Sequence, residues 1–304
     1  MMKRILSMVL ATSIAAAPLS ACANSDAPKA AASAAPSGSL EPREWSGPQR
    51  QVTAPELPSA ETDSQREIAC WGDSMTKGVG ADVASIFVSS GEEFDISYLS
   101  YPDVLERLTG MSTYNYGVSG ATSDEIAYMQ GGAQLEYDAD YFTAVDEDVM
   151  EQSREHPGDI LVLEIGSNGG WNEDYDELIE QYRSMIDHAG CEDYIIIGDT
   201  DDPGTSVADS SQEAFPDGTG TGETAWEAAL REEFGDHFIN MRAFLVERGL
   251  DVAGLEATDD DREAAERGCV SEQLRSDWTH LNSLGYYAQA VAVYERGRDL
   301  GYWS

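Results

Sequence analysis

The run Ile160-Leu161-Val162-Leu163-Glu164-Ile165 is almost unbroken in apolar side chains. A strand with one wet face alternates apolar and polar residues. An unbroken run of this length therefore points to a strand buried on both faces, the setting of a parallel sheet covered by helices. Further strand-like runs fall at 67–71, 113–116, 193–198 and 237–241, and helical periods at 102–108, 123–129, 175–188, 224–234 and 283–300. Strand and helix in alternation imply βαβ units around a parallel sheet, the α/β class. Between them, 78–100 and 201–222 lack either period and read as irregular segments that shape a cleft or simply decorate the surface.

At the amino terminus Lys3 and Arg4 precede an apolar stretch over 5–17, which is short for a membrane helix. Leu19-Ser20-Ala21-Cys22 then resembles the lipobox of bacterial lipoproteins. That resemblance implies a signal peptide over 1–21, cleavage before Cys22, diacylation of its sulfur, and an exported protein held at the outer face of the cell membrane. The alternative is a plain secreted protein in which Cys22 is incidental. Residues 22–64 are rich in Ala, Ser, Pro and Gly with no periodic apolar pattern, so they read as a tether, and the folded domain is expected over 65–304.

The balance of 57 acidic against 18 basic residues, net −39, excludes a basic face for nucleic acid and disfavours docking of the domain on anionic lipid. Membrane contact is thus expected only through the anchor at Cys22. Of the other cysteines, Cys70 lies near a strand exit and Cys191 precedes a strand, so a Cys191–Cys269 disulfide is the better expectation for an exported protein. No spacing suits zinc and no glycine-rich loop cradles phosphate. The acidic run 138–148 lacks an ordered set of calcium ligands and reads as solvated loop. No cofactor or metal is expected, and the domain is expected to be a monomer.

Four stretches carry the chemistry. Gly72-Asp73-Ser74 follows the first strand, which places a hydroxyl where open parallel sheets bind ligands. Asn115 to Ser123 runs through a glycine-rich turn into a helix, Gly166-Ser167-Asn168-Gly169 follows the buried strand, and Asp277-Trp278-Thr279-His280 precedes the last helix. A serine hydroxyl needs a neighbouring base to become a nucleophile. Of the four histidines, only His280 has a carboxylate three residues earlier in a loop, suited to fix its tautomer and steady its imidazolium. N–H groups at Ser74 and Gly120 and the Asn168 amide would serve a developing oxyanion.

This set resembles the SGNH hydrolases, also called the GDSL esterase/lipase family, block by block and in order over 66–304, and looks like its exported bacterial lipoprotein subgroup. The resemblance implies a flavodoxin-like three-layer α/β/α sandwich with a central parallel sheet. It implies Ser74 as nucleophile, His280 as general base and acid, Asp277 as its orienting partner, and Ser74, Gly120 and Asn168 as the oxyanion hole. The chain departs at Gly169, where the family commonly has Asp, which bears on how Asn168 is supported. Met75 stands where Leu is usual. The expected activity is hydrolysis of short-chain esters. Trp71, Trp171 and Trp278 adjoin three blocks, which suggests stacking on sugar rings and O-acetyl groups on glycans as substrate, with packing as the plainer reading. Two other readings use the same residues: an acyltransferase with a sugar hydroxyl in place of water, and a non-catalytic glycan-binding surface lipoprotein.

Overall fold

A computed structural model describes residues 65–81, 86–89, 92–96, 98–133, 142–203 and 222–303. The expected signal peptide, Cys22 and the expected tether lie outside the described residues, as does most of 201–222.

Strands β1 (Ile68–Gly72), β4 (Thr113–Gly117), β5 (Ile160–Glu164), β6 (Tyr194–Ile197) and β7 (Phe238–Ile239) form one parallel sheet in the order β4-β1-β5-β6-β7. The chain winds outward from β1 to β4, then returns past it to β5, so the direction reverses at β1/β5. Ligand crevices of doubly wound sheets open at the carboxyl side of such a reversal.

Alternate residues of each strand serve opposite faces. Ile68, Cys70, Val162, Ile195 and Ile197 pack with Val104, Leu105 and Leu108 of α2 (Tyr101–Thr109) and with Tyr286, Tyr287 and Val293 of α10 (Ser283–Leu300). Ala69, Trp71, Leu161, Leu163 and Ile196 pack with Ile126 of α3 (Ser123–Gln130), Leu178, Tyr182 and Met185 of α5 (Tyr175–Ala189), and Trp226 and Leu230 of α6 (Ala225–Phe234). Burial on both faces is what the unbroken run at β5 requires, and the result is the expected three-layer α/β/α arrangement.

Helix ends are fixed locally. Ser100 and Asp103 close a reciprocal cap on α2, which ends at Gly110 with φ +68°. The Asn282 side chain accepts from Leu284 N and Gly285 N to start α10. Four features depart from the sequence reading. The segment 78–100 holds an antiparallel hairpin of β2 (Ile86–Ser89) and β3 (Glu92–Asp95). The acidic run is not all loop: Asp146 accepts from Asp148 N and Val149 N and caps α4 (Glu147–Glu155). Beyond β7 the chain runs through α7 (Met241–Phe244), a π-helical turn over Leu245–Gly249, α8 (Leu250–Val252) and α9 (Asp259–Glu266), where no helix was expected.

The fourth is the cysteines. Cys70, Cys191 and Cys269 are all free. Cys191 lies before β6 against Asp193 O, whereas Cys269 precedes Val270, whose N–H donates to Asp202 beyond the other end of β6. The length of the strand separates two thiols whose Cα atoms would need to come within about 6 Å.

Candidate active site

The Gly72-Asp73-Ser74 turn is built by crowding. A Cβ on Gly72 would lie 2.1 Å from Thr76 Oγ1 and 2.7 Å from Glu164 O, so only glycine lets β1 turn here. Asp73 Oδ1 accepts from Met75 N at 2.9 Å and caps the one-turn helix α1 (Ser74–Lys77), which leaves Ser74 as its first residue. Gly117 at the end of β4 packs against Lys77, and Val118 N donates to Gly72 O, so the Gly120 turn lies beside the exit of β1.

His280 arrives on a tied loop. Arg275 and Leu281 form an antiparallel bridge, Ser276 N donates to His280 O, and Asp277 Oδ1 accepts from Thr279 N at 2.8 Å and His280 N at 2.7 Å. The imidazole is then held at both nitrogens: Nδ1 lies 2.8 Å from Asp277 Oδ2 and Nε2 lies 3.0 Å from Ser74 Oγ. Burial acts to raise the Asp277 carboxyl, but the His280 and Thr279 N–H groups and the imidazole outweigh it and leave the carboxyl below its ordinary range. The other histidines are spoken for elsewhere. His156 stacks on Tyr114 beside Glu67, His188 lies by Gly131, and His237 contacts Tyr194 O and Tyr302.

Asn168 is brought to the turn by a residue that sequence reasoning left without a role. Its Nδ2 donates to Asp73 Oδ2 at 2.9 Å and to Ala121 O at 3.1 Å. An amide nitrogen carries two hydrogens, so both are committed in this state. The N–H groups of Ser74 and Gly120, by contrast, meet no acceptor among the described residues. Gly120 has φ +78° and open space where a side chain would stand. Gly169 has φ +84°, a conformation in which Asp would be strained, and its carbonyl accepts from Ser123 N and Oγ. Support of Asn168 thus passes from its neighbour in sequence to Asp73 and Ala121.

Beneath the turn lies a row of acids at the carboxyl edge of the sheet, of which Asp73, Glu164 and Asp201 are buried and Asp199 is half-buried. Asp73 follows β1, Glu164 ends β5, and Asp199 and Asp201 follow β6. Burial, reinforced by the Asp199 charge, pushes the Asp73 carboxyl up to about 7. Burial also raises Glu164 and Asp201 well above the usual carboxylate range, and raises Asp199. Glu164 is stabilised by Thr76 Oγ1 at 3.2 Å and Gln289 Nε2 at 3.0 Å. Among the described residues no group of three or more His, Cys, Asp or Glu has the arrangement to hold a metal ion.

The three tryptophans part company. Trp71 and Trp171 are 1% and 0% exposed, and the Trp171 Nε1 donates to Gly166 O, so both are core residues and cannot stack on a substrate. Trp278, two residues before the base, is 58% exposed.

Residues 70–288 match the GDSL-like Lipase/Acylhydrolase family. Similar solved structures include an acetyl xylan esterase from Geobacillus stearothermophilus (15% identity, TM-score 0.45, covering 77% of this chain and 94% of that one). They also include a GDSL-like lipase from Bacteroides thetaiotaomicron (14%, TM-score 0.43, 80% and 92%) and a G-D-S-L family protein from Desulfitobacterium hafniense (16%, TM-score 0.42, 76% and 98%). No curated protein matches the sequence. With the family match running from within β1 into α10, and so across the Ser74 turn and the His280 loop alike, the chain belongs to the GDSL-like lipase/acylhydrolase family of ester hydrolases.

Proposed function

We propose that the protein is a serine esterase in which Ser74 is the nucleophile, His280 the general base and acid, and Asp277 the orienting carboxylate. The observation that carries this reading is the unbroken relay from Ser74 Oγ through His280 to Asp277, with spacings of 3.0 and 2.8 Å. Both lie within hydrogen-bond reach, the first requirement for proton transfer. In the forward half-reaction Ser74 Oγ attacks the ester carbonyl as His280 Nε2 takes its proton. Asp277, kept ionised, steadies the imidazolium, which then protonates the leaving alcohol. Water adds to the acyl-enzyme by the reverse sequence. The unpartnered N–H groups of Ser74 and Gly120 receive the oxyanion. Asn168 becomes a third donor only by releasing Ala121 O or Asp73.

For the substrate we infer short-chain esters, O-acetyl groups on glycans in particular. Support comes from Trp278 alone, an indole left largely in solvent beside the base, whose face suits a sugar ring. Export and lipidation at Cys22 remain part of the proposal on the strength of Leu19-Ser20-Ala21-Cys22. The test of the catalytic reading is a fluorophosphonate probe read by peptide mass spectrometry, with p-nitrophenyl acetate turnover in parallel. An adduct on Ser74 with acetate release is expected. A folded protein that turns over ester with Ser74 unlabelled overturns the assignment. Mass spectrometry of the membrane fraction tests the anchor, and a mature amino terminus other than a diacylated Cys22 rejects it.

A further inference from the structure

The base loop is well tied within itself, and one side chain, Arg275, ties it to the loop that follows β6. Arg275 is 6% exposed, and its guanidinium spans two loops. On one side Nη1 donates to Trp278 O at 3.1 Å and Thr279 O at 3.3 Å, the two carbonyls that lie between Asp277 and His280. On the other side Nη2 donates to Thr200 O at 2.8 Å and Asp202 Oδ1 at 2.9 Å, in the loop that follows β6. Thr200 is itself buried, and Asp202 Oδ1 also accepts from Val270 N, so the second anchor is fixed from two directions. A planar guanidinium with its donors in a rigid fork can hold four acceptors in a set geometry, whereas an ammonium point charge cannot.

We propose that Arg275 is a positioning residue for the ester hydrolysis: it clamps the 277–280 loop to the carboxyl end of β6 and so sets His280 at bonding distance from Ser74. This rests on the Ser74–His280–Asp277 reading of the site. Among the described residues Arg275 bonds to neither Ser74 nor the imidazole, so it acts through the loop backbone. The Asn282 cap holds the loop's trailing end onto α10 and bonds the carbonyls of Gln273 and Arg275, not those of Trp278 and Thr279. Displacing a base by about 1 Å is enough to lose about 100-fold in rate. The same clamp fixes the backbone of the exposed Trp278, which links the aromatic rim to the catalytic loop.

The experiment compares the parent protein with Arg275→Ala, Arg275→Lys, Asp202→Asn and Ser74→Ala, using p-nitrophenyl acetate. Thermal denaturation establishes the folded fraction of each. Loss of the clamp is expected to lower kcat about 100-fold in Arg275→Ala with KM held within about twofold, since no substrate contact is removed. Arg275→Lys keeps the charge but not the fork and should remain impaired. Millimolar guanidinium chloride, filling the space left in Arg275→Ala, should restore part of kcat and do nothing for Ser74→Ala. A purely structural role predicts a loss that follows the folded fraction and no rescue, and that result overturns the proposal. So does a folded Arg275→Ala with kcat within about threefold of the parent. Should the arginine variants not fold, Asp202→Asn decides: it weakens the outer anchor at a partly exposed site, and an unchanged kcat there rejects the clamp. Full activity in Ser74→Ala would reject the catalytic reading instead, whatever the arginine variants do.

Discussion

Raising the pH from 5 to 8 should destabilise this protein. The reason is the row of Asp73, Glu164, Asp199 and Asp201, each with its carboxyl raised by desolvation. Asp73 is pushed to about 7, whereas in the unfolded chain it ionises near its ordinary value. Between those values the unfolded state has released a proton that the folded state still holds, so stability falls as pH rises. The loss is complete above the folded pKa. From Asp73 alone it amounts to about 2–3 kcal/mol between pH 5 and 8. Its three neighbours act in the same direction, as does the self-repulsion of a chain with net charge −39. Glu125, Asp261 and Asp277 are lowered and act oppositely, but their contribution is lost only as the pH falls below the ordinary carboxylate range. Scanning calorimetry at fixed ionic strength should therefore find Tm higher at pH 5 than at pH 8 by roughly 5–10 °C. Glu164→Gln, which can still accept from Thr76 and pair with the Gln289 amide, should flatten that slope. A Tm that is level or higher at pH 8 refutes the reasoning.

Other outcomes follow from the site. Ser74→Ala and His280→Ala should each reduce kcat on p-nitrophenyl acetate by about 10⁴-fold or more, with Asp277→Asn losing less, as expected of groups that act as a unit. Trp278→Ala should raise KM for an acetylated oligosaccharide about tenfold and leave the nitrophenyl ester unaffected; equal KM values for parent and variant would remove the stacking role. Gly169→Asp brings in the commoner family residue but forces an L side chain to φ +84°, so chemical denaturation should show a loss of about 1–2 kcal/mol with no gain in kcat.

Much of this molecule was legible in the sequence because its signals are local. The final helix Ser283–Leu300 matches the periodic stretch end to end, and the strands that frame the site lie within a residue or so of their apolar runs. Ser74, Asp277 and His280 stand out by their short-range company, and His280 lies within hydrogen-bond reach of both of the others. What escaped was either faint or distant. Helix α9 reads DDDREAAE, without an apolar stripe, and shows itself only through the Thr258–Asp261 cap. The run 237–241 yields a two-residue strand because Asn240 caps the next helix. Trp171 beside the Asn168 turn looked like a platform, but sequence does not say which way an indole faces, and this one stacks in the core on Trp226 and Tyr175. Asp73 and Arg275 gain their roles from partners 95 and 73 to 75 residues away, which no local pattern announces.

Asp73 is where stability and activity pull against each other most directly. Asp73→Asn keeps an oxygen for Met75 N, so the α1 cap survives. It removes a buried carboxyl whose ionisation at pH 8 costs about 4 kcal/mol, against about 1 kcal/mol for one neutral hydrogen bond lost. The balance predicts a more stable protein at pH 8. The same change turns an acceptor into an N–H that faces the Asn168 N–H, and two donors cannot share that position. Asn168 then loses one of the two acceptors that hold it at the nucleophile turn, and kcat should fall about 100-fold, the range for loss of one oxyanion donor. Opposite signs in one variant separate this account from a merely structural one. If Tm at pH 8 and kcat fall together, Asp73 is a framework residue and its charge is not held at a cost. If kcat is unchanged, the Asn168 amide has no part in the reaction, and the oxyanion rests on the Ser74 and Gly120 N–H groups alone.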